Sequence, residues 1–149
     1  MMHRVGSSEI GNASVNSERA LAEAFAALVA RDDLTTRRRF YDALVVSRLY
    51  ITVTDDRSSL MAKALQLKDG RLAIPAFIDE TALRRWIPAP TRFGTMPAVT
   101  FFLGAAKMGV DAVIINPTGP VLEIDRPSII LLGRGLNPAA IPPAPPQSS

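Results

Sequence analysis

Two adjacent carboxylates, Asp55 and Asp56, follow a β-branched run, and Asn116 closes a second apolar run at "VIINPTG". Carboxylates on a loop after a strand can hold Mg²⁺, because a hard cation takes oxygen ligands and accepts water for the rest. Neighbouring carboxylates can also divide acid and base roles. Asn116 stands where a strand emerges, and open α/β sheets place their ligand crevices at the carboxyl ends of strands. Asp55, Asp56 and Asn116 therefore form one candidate ligand site, at the carboxyl edge of a sheet. A plainer reading stands beside it and is preferred. Adjacent residues of an extended segment point to opposite faces, which suits a solvated loop at 55–56. Asn before Pro favours extended backbone and Gly119 permits a reversal, so 116–119 also reads as a bare turn.

His3 is the one histidine, close to the N-terminus. A Ser-His-Asp triad needs an imidazole held by a rigid scaffold, and a histidine metal site needs partners. The chain has no cysteine, which excludes thiol nucleophiles, Cys-ligated zinc and iron–sulfur clusters. Neither G-x-G-x-x-G nor GK[ST] occurs, so no recognised loop cradles a phosphate. No catalytic residue, metal ligand or cofactor is assigned.

What remains is guanidinium chemistry. Arg37, Arg38 and Arg39 make the densest charge run, and Arg84 with Arg85 the second. Arginine forks grip carboxylate or phosphate bidentately. Three consecutive helical residues point about 100° apart and fan across about 200°, so they cannot all face one groove. Aromatic residues for base stacking are absent nearby, apart from Phe40 and Tyr41. Seventeen cations face fourteen anions, spread along the chain for a net +3. That interleaving argues against nucleic acid in spite of a pI near 9.8. Solvated helix faces come first, an acidic protein partner next. The five arginines, with the strand edge near Pro75, are the partner-binding candidates. Trp86 and Phe77 read as core, and the P-x-x-P pairs of the C-terminal tail as passive.

The elements that position these groups follow from spacing. Residues 1–16 are small and polar, a flexible arm. Ser17 caps a helix whose Leu21, Ala24, Phe25 and Leu28 fall at i, i+3, i+4 and i+7. Thr35 or Thr36 caps a second helix with Phe40, Ala43 and Leu44 inward. "RLYITVT" alternates as a strand. In "LQLKDGRLAIPAFIDETALRRW" (Leu65–Trp86), Asp69-Gly70 reads as a two-residue type I′ hairpin turn with Leu67 opposite Leu72 and Leu65 opposite Ile74. Asp79 caps a short helix with Ala82, Leu83, Trp86 and Ile87 inward. Pro97 opens a helix burying Val99, Phe102, Leu103 and Ala106, with Gly109 as its stop. "AVII" (112–115) has no polar position and reads as a strand covered on both faces. "VLEID" is a short strand, and Pro127 opens a last helix. From Asn137 the chain is a Pro-rich disordered tail, 137–149.

The hairpin "DG", the "IPAF" of Ile74–Phe77, the acidic helix start at Asp79-Glu80 and Trp86 together resemble the SseB N-terminal domain family. "FYDALVVSRLYI" (Phe40–Ile51) resembles its helix leading into the first strand, and "VIINPTG" its buried strand ending in an Asn-Pro-x-Gly turn. Thr52 departs from the family, which often has proline there. The resemblance implies an α/β domain over about 17–136 with no established catalytic activity, and it supplies no active-site residues. The expected fold is α/β (α+β): a single domain with a mixed sheet of about five strands, flanked by helices, two of them N-terminal. The expected role is a non-catalytic protein-interaction or regulatory module in the bacterial cytoplasm. No apolar h-region opens the chain, and its longest apolar run, Met96–Ala106, is too short to span a bilayer.

Overall fold

The computed structural model describes residues 2–52, 64–86, 93–118 and 120–140. Its elements are α1 (Met2–Ala30), α2 (Leu34–Val45), β1 (Arg48–Thr52), β2 (Leu65–Gln66), β3 (Leu72–Ala76), α3 (Glu80–Trp86), β4 (Phe93–Pro97), α4 (Ala98–Met108), β5 (Ala112–Ile115), β6 (Leu122–Asp125) and α5 (Arg126–Leu132). Among the described residues the fold is mixed α/β, with five helices and two sheets.

Leu21, Ala24, Phe25 and Leu28 of α1 are all buried, as their spacing requires. The helix nevertheless begins at Met2, so Ser17 lies inside it and caps nothing. Residues 2–16, expected as a loose arm, have helical backbone. They contain no proline, and Gly6 and Gly11 weaken a helix by only about 1 kcal/mol each relative to alanine. Asp33, not Thr35 or Thr36, caps α2. Its Oδ1 accepts from the Thr36 N–H at 2.9 Å, and its own N–H donates to Thr36 Oγ1 at 3.0 Å. This reciprocal box satisfies two orphan donors at once. Phe40, Tyr41 and Leu44 are the buried residues of α2.

Two sheets replace the single expected one. β1 pairs antiparallel with β4, and a four-stranded sheet runs β2-β3-β5-β6 with β3 parallel to β5. β4 was not anticipated, because "FGTMP" has neither β-branched enrichment nor clean alternation. One antiparallel bridge joins the sheets: Tyr50 and Phe77 exchange N–H···O bonds of 2.8 and 2.9 Å.

The Asp69-Gly70 hairpin exists, but one residue out of the expected register. Leu65 faces Ala73 and Gln66 faces Leu72. Leu67 N–H donates to Arg71 O at 2.8 Å, leaving a three-residue loop in which Gly70 alone has positive φ, 89°. Asp69 Oδ1 accepts the Arg71 N–H at 3.1 Å, so the side chain completes the turn without forcing Asp69 into the left-handed region. That is the type I turn plus bulge rather than type I′. The slip turns Leu65 and Leu67 to the face of Ala73, away from Leu72 and Ile74.

Pro75 is buried in an interior strand, so it marks no exposed edge. Leu72 and Ala76 carbonyls face β5, accepting from Asp111 and Asn116. By alternation the missing N–H of Pro75 faces the other way. There it falls between the Leu65–Ala73 pair and the Tyr50–Phe77 bridge, where no ladder bond of the described residues needs it.

One face of the sheets carries the main core: Leu49, Ile51, Ile74, Ala76, Val113, Ile115 and Ile124 pack with residues of α1, α2, α4 and α5. The reverse face carries Ala73, Ala112 and Ile114 with Leu67. It also carries a separate cluster of Phe77, Ala82 and Leu83 with Tyr50, Trp86 and Phe93. All four residues of β5 are buried, as a central strand requires. α4 buries Ala98, Phe101, Phe102 and Ala105 and points Leu103 outward, one step round from the expected face. Gly109 ends it with φ 70°. Asp125 caps α5, accepting from the Ser128 N–H at 3.1 Å. Asn137 does not begin a free tail: its Nδ2 donates to Arg38 O at 2.9 Å and Asp42 Oδ1 at 2.8 Å, and Ala139 packs on the core. The remaining tail, 141–149, lies outside the described residues.

Candidate functional site

Asp55 and Asp56 lie outside the described residues, so the structure brings neither to Asn116. Asn116 is placed and committed. It is buried, with φ 53°, at the end of β5. Its N–H donates to Ala76 O at 2.9 Å, and its Oδ1 accepts the Ile78 N–H at 3.2 Å. The side chain thus extends the β3–β5 pairing past the point where the strands stop. Asparagine enters the left-handed region more readily than most residues, and here its carboxamide oxygen also serves Ile78, 38 positions away, which glycine could not do. Nearby, the Thr118 Oγ1 is buried without a hydrogen-bond partner among the described residues. No three His, Cys, Asp or Glu residues among those described are grouped to hold a metal ion.

The arginines divide between two sides of the sheets. Arg37, Arg38 and Arg39 lie on α2, which joins the main core. Arg37 is held bidentately by Asp32, one of its two bonds being 2.8 Å. That bond is the chief reason the Asp32 carboxyl sits below its ordinary value. Arg39 reaches Glu23 of α1 at 3.9 Å. Two of the three are therefore occupied. Tyr41, one turn on from Arg37, is buried, which pushes its phenol up.

Arg84 and Arg85 end α3 on the reverse face. The Asp79 carboxylate accepts the Ala82 N–H at 2.8 Å, so the expected cap starts the helix. Ala82 and Leu83 then anchor it on Phe77. Arg84 lies over the Phe93 ring at 4.9 Å and pairs with Glu80 at 3.5 Å. Trp86 is half-buried against Phe77, ring centroids 6.5 Å apart. Glu80, Thr81, Arg84 and Arg85 line an open depression of about 490 Å³. Arg85 is exposed and makes no hydrogen bond or ion pair among the described residues. Phe93 was missed from sequence, because the strand that presents it carries no periodic signal. From sequence Glu80 reads only as part of an acidic helix start, and Thr81 carries no signal of its own.

The model of the SseB protein N-terminal domain matches residues 21–129. The chain belongs to that family. As an SseB N-terminal domain it carries the hairpin, the α3 start and the Asn116 turn as its framework, and the match spans α1 to α5. No curated protein and no solved structure matches the chain significantly. No described helix of this SseB domain is long and apolar enough to cross a membrane.

Proposed function

We propose that this SseB domain is a non-catalytic protein-interaction or regulatory module of the bacterial cytoplasm. The observation that carries the reading is the α3 surface. An exposed Arg85, without a partner among the described residues, stands there beside an Arg84 already oriented by Phe93 and Glu80. Asn116, the described member of the rival site, supports the same reading because its carboxamide oxygen is taken by the Ile78 N–H. Nucleic acid is disfavoured: the two arginine groups belong to opposite faces, and a phosphate backbone needs many cations along one track.

A second reading, a small-ligand site or enzyme at the carboxyl edge of the sheet, draws on two facts. Asn116 holds a sparsely populated backbone conformation, and the Thr118 hydroxyl has no partner among the described residues. Both features recur at functional sites. Tagged full-length protein, recovered from its native cytoplasm and analysed by mass spectrometry, separates the two. A stoichiometric protein partner supports the module. A tightly retained metabolite without a protein partner overturns it.

A further inference from the structure

Resting on that reading, we infer that the partner presents an acidic, extended peptide segment to the α3 face, and that Arg85 takes one of its carboxylates. The depression lined by Glu80, Thr81, Arg84 and Arg85 is open. It can seat a chain laid across it, whereas a small molecule is held by a pocket that buries most of its surface. Arg85 supplies a fork with no partner among the described residues, the geometry that grips a carboxylate through two parallel bonds. Arg84 is different. Its guanidinium is stacked on Phe93 and paired with Glu80, so its charge is balanced within the lining and it serves as a fixed wall beside Arg85, with little loss of side-chain freedom on binding. The exposed Thr81 hydroxyl can accept from or donate to a peptide backbone.

Among the described residues the lining holds two cations and one carboxylate, which pairs with Arg84. A run of phosphates would meet Glu80 as well as the arginines. An acidic peptide can place a carboxylate at Arg85 and a backbone N–H at Glu80. Among polymers of negative charge the surface therefore favours protein over nucleic acid.

Trp86 is the sole tryptophan and directly follows Arg85, so its fluorescence reports on this surface. The full chain is titrated with a short glutamate-rich peptide, a lysine-rich peptide of equal length, and single-stranded DNA. The proposal expects a saturable Trp86 change with the glutamate peptide alone. Arg85→Glu should weaken it about tenfold, as charge reversal at a contacted rim position does. Arg85→Gln should weaken it less while leaving the circular dichroism unchanged. Arg38→Glu, on the opposite face, should leave it unaltered. No saturable change up to about 1 mM peptide, where affinity is negligible, overturns the proposal. Equal weakening by Arg38→Glu, or tighter binding of DNA, does so too. If a native partner copurifies and its retention ignores Arg85→Glu, the module reading survives and this site does not.

Discussion

Replacing Asn116 separates a framework role from a ligand role. In Asn116→Ala the Ile78 N–H loses its acceptor. Ile78 is 5% exposed, so the donor has little recourse to water, and an unpaired buried donor costs about 1–3 kcal/mol. Alanine must also take up a φ of 53°, which adds about 1–2 kcal/mol for an L-residue with a Cβ. The sum is about 3 kcal/mol. With a urea m-value of about 2 kcal/mol/M for a chain of this size, the unfolding midpoint should fall by about 1.5 M. Asn116→Gly removes the steric part but not the lost bond. It should fall short of wild type by about 1 M. Asn116→Asp keeps an acceptor and should stay closest to wild type. The assay is urea unfolding followed by circular dichroism, with m checked for constancy. Alanine and glycine variants that both unfold at the wild-type midpoint would refute the framework role. Equal losses in the two would remove the backbone-strain part of the argument.

Two identical glycine substitutions should act in opposite directions. Gly104 lies inside α4 with open space where a Cβ would go; Gly104→Ala should raise Tm by about 2–3 °C for a gain of about 1 kcal/mol. At Gly133 a Cβ would meet the Leu103 backbone at 3.0 Å. Gly133→Ala should therefore lower Tm by about 3–6 °C, the cost of forcing two helices apart; a shift of the same sign in both would contradict the packing. Stability should also decline in acid. Asp32 is held below the ordinary carboxylate value by its bond from Arg37, Asp33 by the Thr36 N–H and Asp69 by the Arg71 N–H. A folded value below the unfolded one stabilises above the unfolded value and is lost as pH falls through the folded one. The urea midpoint should thus hold steady from neutral pH to about 5 and drop below about 4; a midpoint rising in that range would reverse the sign. Arg126 donates to Gly109 O at 3.0 Å and Val110 O at 3.3 Å and pairs with Asp111. Arg126→Lys should not restore the stability lost in Arg126→Ala, because an ammonium cannot span that fork; full rescue in thermal unfolding would show that charge alone suffices.

Much of this was legible where one interaction dominates. The i, i+3, i+4 spacing of Leu21, Ala24, Phe25 and Leu28 has one solution, and "AVII" leaves a strand no polar face. Asp79 and Gly109 announced their caps. Legibility failed where local signals were matched by competitors. Asp69-Gly70 suits two turn types, and the choice was made by the Asp69 carboxylate bonding Arg71, an interaction two residues away. α4 is apolar nearly all round, so only its neighbours could select Phe101 over Leu103. β4 acquires its extended form from pairing with β1, and with it went any view of Phe93 beneath Arg84. For the site, sequence could nominate Arg84 and Arg85. Only the structure shows that Arg37, Arg39 and Arg84 are ion-paired, to Asp32, Glu23 and Glu80, while Arg85 has no partner among the described residues.

The Tyr50–Phe77 bridge has a mechanical consequence. Among the described residues it is the single rung of backbone between the sheets, and both of its aromatic rings belong to the reverse-face cluster that seats α3. A pull delivered through α3 therefore converges on two backbone hydrogen bonds. These two protons should exchange with deuterium together, as a latch that opens in one motion.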